Sequence, residues 1–248
     1  VLITGAGGSI GSELVRQIAN YLPSNLVLIE NSEFSLYTID MELSNSNPSV
    51  ARHALIGDVR DRRRMFQIFQ KFKPEIVFHA AALKHVPMVE SNVLEGMFTN
   101  VIGTKNVADA ANNAMVSTFV QISTDKAVNP SNIMGASKRI AESYCQALDL
   151  ERGLNKTRFI TVRFGNVLGS AGSVVALFRD QISKGGPVTI TDPKMERYFM
   201  TVREAVELVL AASALGTTQP KEVGKIFVLE MGKPVLIKSL AEQMIRLA

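Results

Sequence analysis

Two short blocks of this sequence carry side chains that can move protons. In the first, Ser123-Thr124-Asp125-Lys126, a carboxyl group and an amine stand side by side. The second, Met134-Gly135-Ala136-Ser137-Lys138, has the spacing of a Tyr-x-x-x-Lys proton-transfer couple with methionine at the tyrosine position. A thioether cannot take a proton from an alcohol, so another group must do so. Lys138 lies one helical turn after Met134, which turns both toward one cleft. The acid and base just upstream, Asp125 and Lys126, point to chemistry beyond simple hydride transfer.

Those blocks need a frame, and the hydrophobic pattern predicts one. Short apolar runs at 1–4, 26–30, 54–57, 76–80, 119–123 and 159–164 read as strands. Amphipathic stretches near 11–21, 34–44, 61–72, 91–114 and 132–152 read as helices between them. Such alternation predicts an α/β fold with right-handed crossovers, a Rossmann-type doubly wound parallel sheet covered on both faces. Thr124 to Lys126 then follow the fifth strand, and Met134 and Lys138 open the fifth helix. Pro130 falls harmlessly in the loop before that helix, which Ser131 or Asn132 can cap.

The texture changes at Gly165-Asn166-Val167-Leu168-Gly169-Ser170-Ala171-Gly172-Ser173. A helix near 174–184 and a strand at 188–191 are expected beyond it. This divides the chain into a nucleotide-binding domain, 1–165, and a smaller substrate-binding lobe, 166–248, interleaved with the first. Ligands of open α/β sheets sit at the carboxyl ends of the strands, where a second lobe closes the crevice.

Near the N-terminus, Thr4-Gly5-Ala6-Gly7-Gly8-Ser9-Ile10-Gly11 supplies a dinucleotide fingerprint. Gly5 permits the tight turn, Gly8 admits the pyrophosphate, and Gly11 allows close helix–strand packing. Glu30 ends the second strand about 20 residues on, where a carboxylate accepts from both ribose hydroxyls. A 2′-phosphate would meet that negative charge, so NAD is expected and NADP disfavoured. Asp58, after the third strand, is placed to meet the adenine amine.

Composition sets limits on the rest. The chain has 248 residues, 46% apolar and 20% charged, as an ordinary globular protein does. A single cysteine, Cys145, excludes an intramolecular disulfide. A formal charge of +4 suits an anionic small substrate. The one basic cluster, Arg60-Asp61-Arg62-Arg63-Arg64, opens a predicted helix and reads as a solvated face, so no nucleic-acid partner is expected. No metal-ligand pattern appears. No run reaches the about 18 apolar residues that cross a bilayer. Both ends read as cut, since the first strand is short and the last helical pattern has no cap.

The sequence resembles the extended short-chain dehydrogenase/reductases, and within them the UDP-N-acetylglucosamine 4,6-dehydratases, the capsule-type polysaccharide biosynthesis proteins. The resemblance rests on Thr4 to Gly11, on His79-Ala80-Ala81-Ala82-Leu83-Lys84-His85-Val86-Pro87 and on Ser123 to Lys126. It extends through Met134 to Lys138, Arg163 to Val167, and Thr189 to Thr201. Methionine for tyrosine resembles the long, configuration-retaining branch, whose members carry an N-terminal membrane region before this domain. The resemblance thus implies the cytoplasmic domain of a bacterial protein anchored in the inner membrane. It implies NAD-dependent loss of water from a UDP-N-acetylhexosamine, giving a 4-keto-6-deoxy sugar.

Roles follow from the same resemblance. Asp125 is the candidate acid at the C6 hydroxyl and Lys126 the candidate base at C5. Lys138 is expected to hold the nicotinamide ribose. With Met134 in place of tyrosine, Thr124, Ser123, a bound water or the substrate itself must relay the C4 proton, and Thr124 is favoured. Ser9, Ile10, Val59, Ala80, Ala81, Ala82, Asn100 and Ser123 join the glycines and the two acids at the cofactor. Lys84, Asn166 and Arg197 are expected at the substrate, the last two at its diphosphate, with Thr189 and Thr191 at the uridine. The family's later Arg-Pro-Gly-Glu-Lys segment is missing. Two other readings stand beside this one: a nucleotide-sugar epimerase of the same fold, and a catalytically silent NAD-binding module. A homo-oligomer is left open.

Overall fold

The strands of the main sheet are three to seven residues long. The inner ones are buried along nearly their whole length because helices cover both faces, while the edge strand Arg52–Ile56 is not. The computed structural model describes residues 1–151, 156–170, 172–218 and 223–248. It begins with β1 (Leu2–Thr4), α1 (Ser9–Ala19), β2 (Leu26–Glu30), α2 (Glu33–Ser46), β3 (Arg52–Ile56), α3 (Arg62–Phe72) and β4 (Ile76–His79). Next come α4 (Val86–Ser91), α5 (Val93–Met97), a π-helical stretch at Phe98–Gly103, and α6 (Thr104–Asn113). β5 (Thr118–Thr124), a 3₁₀ turn at Asp125–Ala127, α7 (Ile133–Glu151) and β6 (Arg158–Phe164) complete the first part. Then follow β7 (Asn166–Leu168), α8 (Val174–Ser183), β8 (Glu196–Arg197), β9 (Phe199–Thr201), α9 (Val202–Thr218), β10 (Ile226–Val228), β11 (Val235–Leu236) and α10 (Ile237–Arg246).

Seven strands pair in parallel in the order β10-β6-β5-β4-β1-β2-β3, the doubly wound sheet expected from the alternation. Ile3, Leu28, Val120 and Val162 point to the face covered by α1, α2 and α9. Leu2, Val27, Phe119 and Phe159 point to the face covered by α3, α6 and α7. Ser32 caps α2, Asp61 caps α3, and the Asn132 carboxamide accepts from Gly135 N–H (2.8 Å) at the start of α7. After residue 166, β7 pairs with β9 and β8 with β11 in two small sheets, while β10 joins the main sheet beside β6. Phe178, Ile237 and Ala241 form a small separate core with Val188 and Ile190 packed on it.

Two sequence expectations need correction. The stretch 91–114 is not one helix. Asn92 has φ −135° and ψ 59°, which separates α4 from α5, and the turn around Asn100 widens to π geometry. The strand at 188–191 does not form either. Thr189 N–H donates to the Gln181 carboxamide oxygen (3.0 Å) and its hydroxyl accepts from the same carboxamide (2.8 Å), so α8 takes the bonds a ladder would need. Position 152 of the predicted fifth helix and Ala171 of the glycine-rich passage lie outside the described residues.

A buried hydrogen-bond chain ties the frame together beneath the site. The Thr104 hydroxyl donates to Asn100 O (2.7 Å), so it accepts from His79 Nε2 (2.9 Å). His79 Nδ1 is then the acceptor for the Thr4 hydroxyl (2.7 Å). Burial, with the nearby Lys138 charge, pushes His79 down to about 3 from its ordinary 6.5. Between those two values only the unfolded chain takes this proton, so His79 contributes a loss of stability as pH falls from 6.5 toward 3. Urea unfolding at neutral pH and at pH 5 is expected to show a smaller acid-side loss in His79→Asn than in the wild type.

Candidate active site

The sheet winds one way from β1 to β2 and the other way from β1 to β4, and a cleft of ≈ 300 Å³ opens at that reversal. Gly5, Gly8, Glu30, Asp58, Val59, Ala80, Ala81 and Ala82 line it. Gly5 has φ +66°, and a Cβ there would lie 2.7 Å from the Ala81 backbone. A Cβ on Gly11 would lie 1.8 Å from Gly5 O, so the helix can approach the strand only through glycine. The first turn of α1 holds no acid and Gly8 provides no side-chain cap, which leaves the positive end of the helix directed at the cleft.

The acids of the cleft are held in place. Glu30 accepts from Gly7 N–H (3.0 Å) through one oxygen, and from Asn31 (2.9 Å) and Ser32 (3.1 Å) N–H through the other. The oxygen facing Gly7 takes a single bond and keeps acceptor capacity for a ribose hydroxyl. Asp58 accepts from Arg60 Nε (2.8 Å) and Nη2 (2.6 Å), and that guanidinium holds its carboxyl below the usual range. Arg60 also reaches Glu95 (2.6 Å) and lines the cleft. The sequence reading treated it as part of a solvated basic face. Its position two residues after Asp58 was the available signal. With two fixed carboxylates and a helix N-terminus, the residues present fit a dinucleotide.

One strand beyond β4, the end of β5 gathers the proton-carrying groups. The Thr124 hydroxyl donates to Asp125 Oδ1 (2.8 Å), and Lys126 Nζ donates to the same oxygen (3.0 Å). Lys126 Nζ also donates to Asn166 Oδ1 (2.8 Å) on β7. The Asp125 and Lys126 side chains are about a quarter exposed, open enough to meet a ligand. Lys84, on the loop after β4, faces them. Its amine is lowered from the ordinary value, first by lost hydration and then by the Lys126 charge.

Beneath this cluster, α7 carries a buried ionic network. Lys138 is 6% exposed and donates to Ile122 O (2.7 Å). Burial pushes its amine down to about 8, against the opposing effects of Glu142 and Cys145. Glu142 is fully buried and accepts from Ser123 Oγ (2.6 Å), from Arg163 Nε (2.7 Å) and Nη2 (2.5 Å), and from Arg139 (3.3 Å). Sequence reasoning gave neither Glu142 nor Arg163 a role, although an acid four residues after Lys138 falls on the same helix face.

Similarity to known proteins bears on what this arrangement belongs to. A family model described as polysaccharide biosynthesis protein matches residues 1–248. The chain belongs to that family. Its fold is that of the extended short-chain dehydrogenases. Within the polysaccharide biosynthesis proteins, it is 52% identical over 249 residues to the capsular polysaccharide biosynthesis protein CapD of Staphylococcus aureus. That match covers 100% of this chain and 40% of CapD, so the chain spans less than half of that relative. An inverting UDP-N-acetylglucosamine 4,6-dehydratase of Campylobacter jejuni is 37% identical over 213 residues, 85% of this chain and 62% of that one. A UDP-glucose 4-epimerase of Rickettsia canadensis is 38% identical over 218 residues, 86% and 62% of the two. The solved structure of Pen from Bacillus thuringiensis, 34% identical, superposes with a TM-score of 0.90 over 99% of this chain and 72% of that one. Among the described residues no helix is long and apolar enough to cross a membrane.

The structure brings some of the expected site residues together and buries or separates others. Asn100 is fully buried. Its carboxamide accepts from Leu83 N–H (2.8 Å) and donates to Leu83 O (2.9 Å) and the Ser137 hydroxyl (2.9 Å), so it shapes the loop after β4. Ser123 is buried against Glu142, and Met134 is 2% exposed, its thioether packed away from solvent. Ser9 and Ile10 stand in the first turn of α1, directly after the cleft-lining Gly8, and Ile10 packs on the core. Thr124, Asp125, Lys126, Lys84 and Asn166 come together at the end of β5. Thr189 and Thr191 are exposed beside α8, and Arg197, on β8, donates to Glu196 O (2.9 Å). Among the described residues no hydrogen bond ties these three to the Lys126 cluster.

Proposed function

We propose that this chain is the NAD-binding catalytic part of a 4,6-dehydratase, a hydro-lyase acting on a UDP-N-acetylhexosamine, foremost UDP-N-acetylglucosamine. Its product would feed a bacterial surface polysaccharide or glycan, and the whole protein would be anchored in the inner membrane through a region outside this chain. The observation that carries the reading is the Asp125 and Lys126 pair, 3.0 Å apart at the end of β5. Hydride transfer alone, or epimerisation at C4, has no leaving group and needs no such pair.

Bound NAD supplies the hydride acceptor for sugar C4 and the donor for C6, and leaves unchanged. The remaining steps fall to this chain. Thr124 Oγ1 accepts the C4 hydroxyl proton and passes its own to Asp125 along their 2.8 Å hydrogen bond. The Lys138 ammonium favours the alkoxide that forms. The new ketone acidifies the C5 proton, which Lys126 removes. Asp125 gives the proton it collected to the C6 hydroxyl, which departs as water. Lys126 then returns its proton to C5 as C6 becomes a methyl group. One water is lost and no proton is left over.

Glu30 would hold the adenosine ribose and favour NAD over NADP, and Asp58 would meet the adenine. Lys84 and Arg197 would meet substrate anions, since an arginine fork suits phosphate. Thr189 and Thr191 would line the nucleoside. Retention at C5 is the stereochemical form of this reading, based on Met134. The relative with an inverting name makes that the point to check.

The deciding experiment is mass spectrometry of UDP-N-acetylglucosamine incubated with the full-length protein and catalytic NAD. The expected result is loss of one water without net NADH. An unchanged mass with an isomerised sugar would favour the epimerase, a reading supported by the Rickettsia relative. An unchanged sugar would favour the silent NAD-binding module. A pH profile adds a second check. Because burial lowers the Lys138 amine to about 8 and it acts here as the ammonium, the hydride step is expected to decline as pH rises through that value. Lys138→Arg, cationic throughout, is expected to lose that decline, measured as single-turnover reduction of the nicotinamide.

A further inference from the structure

In the reaction just proposed, Lys126 must both lose and regain a proton, yet its amine is shared with a residue of a different strand, 40 positions away. Resting on that reading, we propose that Asn166 is a positioning residue for Lys126. Its side-chain carbonyl holds one N–H of the amine through the whole proton cycle.

The geometry supports a fixed support of this kind. Asn166 opens β7, and its backbone N–H donates to Tyr198 O (3.0 Å) in the ladder with β9. The next residue, Val167, is 7% exposed, so the side chain projects from an anchored strand. An ammonium has only hydrogens to offer, which fixes the carboxamide with its oxygen toward Lys126. Lysine has a long flexible stem. Asp125, adjacent on the same 3₁₀ turn, cannot by itself define where the amine stands. Two acceptors on separate elements, at 3.0 and 2.8 Å, can.

The choice of an amide has a chemical reason. The charged and titratable groups facing Lys126 are Asp125 on the 3₁₀ turn and Lys84 on the loop after β4, with His85 beyond Lys84. Asn166, from β7, is the neutral member and exchanges no proton. Its carbonyl accepts an N–H from the ammonium and from the free amine alike. A carboxylate in its place would bind the ammonium more strongly and oppose release of the proton. Asn166 would therefore set the location of the base without setting its charge.

Asn166→Ala and Asn166→Asp test this, with solvent deuterium incorporation at C5 followed across pH in the full-length protein. The alanine variant is expected to lose exchange by about 10²-fold, the scale of a misplaced catalytic group, while hydride removal from C4 continues. The aspartate variant keeps an acceptor, and its exchange profile is expected to move to higher pH and recover there. A raised KM with unchanged exchange at saturation in Asn166→Ala would make Asn166 a substrate ligand and overturn the proposal. So would an unmoved profile in Asn166→Asp. A readout without substrate separates this proposal from the reading beneath it. In protein labelled with ¹³C,¹⁵N-lysine, the Lys126 side-chain resonance, identified by its absence in Lys126→Arg, should titrate at higher pH in Asn166→Asp than in the wild type. If it does so while the wild type releases no water, the positioning stands and the dehydratase reading falls.

Discussion

Lys126→Ala is expected to lower water loss by about 10²- to 10⁴-fold, the usual contribution of a positioned acid or base, while NAD still binds. Lys126 follows β5, one strand along from β4, and does not line the dinucleotide cleft; its side chain is 28% exposed. Its ion pair with Asp125 is therefore screened by solvent, and the fold should tolerate the change, at a cost of up to about 1 kcal/mol. Asp125→Ala should block the same overall reaction at a different point. Without Asp125 the C4 proton passed on by Thr124 has no acceptor and the C6 hydroxyl has no acid. Supplied directly with the 4-keto sugar, the variant should still exchange the C5 proton with solvent deuterium through Lys126 but release no water. Lys126→Ala should show neither exchange nor water loss. Cofactor affinity by calorimetry, product mass and deuterium content together distinguish the two roles. Normal turnover in either variant would remove that residue from the mechanism.

For stability, the largest expected effect is at Glu142. Glu142→Ala is expected to cost about 3–5 kcal/mol, as when one partner of a buried ion pair is removed. The Glu142 side chain is 0% exposed and that of Arg163 13% exposed, and their two short contacts leave the guanidinium without a counter-ion once the acid is gone. The Ser123 hydroxyl loses its acceptor as well. Such a loss is a large part of the about 5–15 kcal/mol by which a domain is stable. Glu142→Gln retains the shape and one acceptor, so it serves where the alanine variant fails to fold. Removing the carboxylate also removes an influence that raises Lys138. In Glu142→Gln the decline of the hydride step on the alkaline side should therefore begin at lower pH than in the wild type. Urea denaturation measures the first effect and single-turnover cofactor reduction the second. Wild-type stability in Glu142→Ala would mean the pair contributes nothing to the fold.

What could be read from the chain was local. The strands from 1–4 to 159–164 each announce themselves within a few residues, and their alternation with helices was sufficient for the doubly wound class. The glycine turn was legible because Gly5 needs a positive φ and Gly11 meets Gly5 O within that same turn, both of them local demands. Local patterns also misled. The run at 188–191 has strand chemistry, but Gln181 supplies its hydrogen bonds from a helix, and no period in the sequence records that. Likewise 91–114 keeps a helical pattern through Asn92 and Asn100, where the backbone departs from α geometry to let Asn100 bind the loop at Leu83.

The sequence by itself therefore determined the class of fold, the fingerprint turn, the two acids near it, and the presence of an acid beside a base after the fifth strand. Only the tertiary structure decided which strand neighbours which. It also decided that Asn166 reaches Lys126 across 40 residues, that Arg163 reaches Glu142, and that Thr4 reaches Thr104 through His79. The physical reason is the same in each case. A turn or a helix face is set by residues a few positions apart, whereas parallel pairing and buried polar partners join residues separated by whole crossovers. Which of those partners meet depends on the packing of the entire sheet.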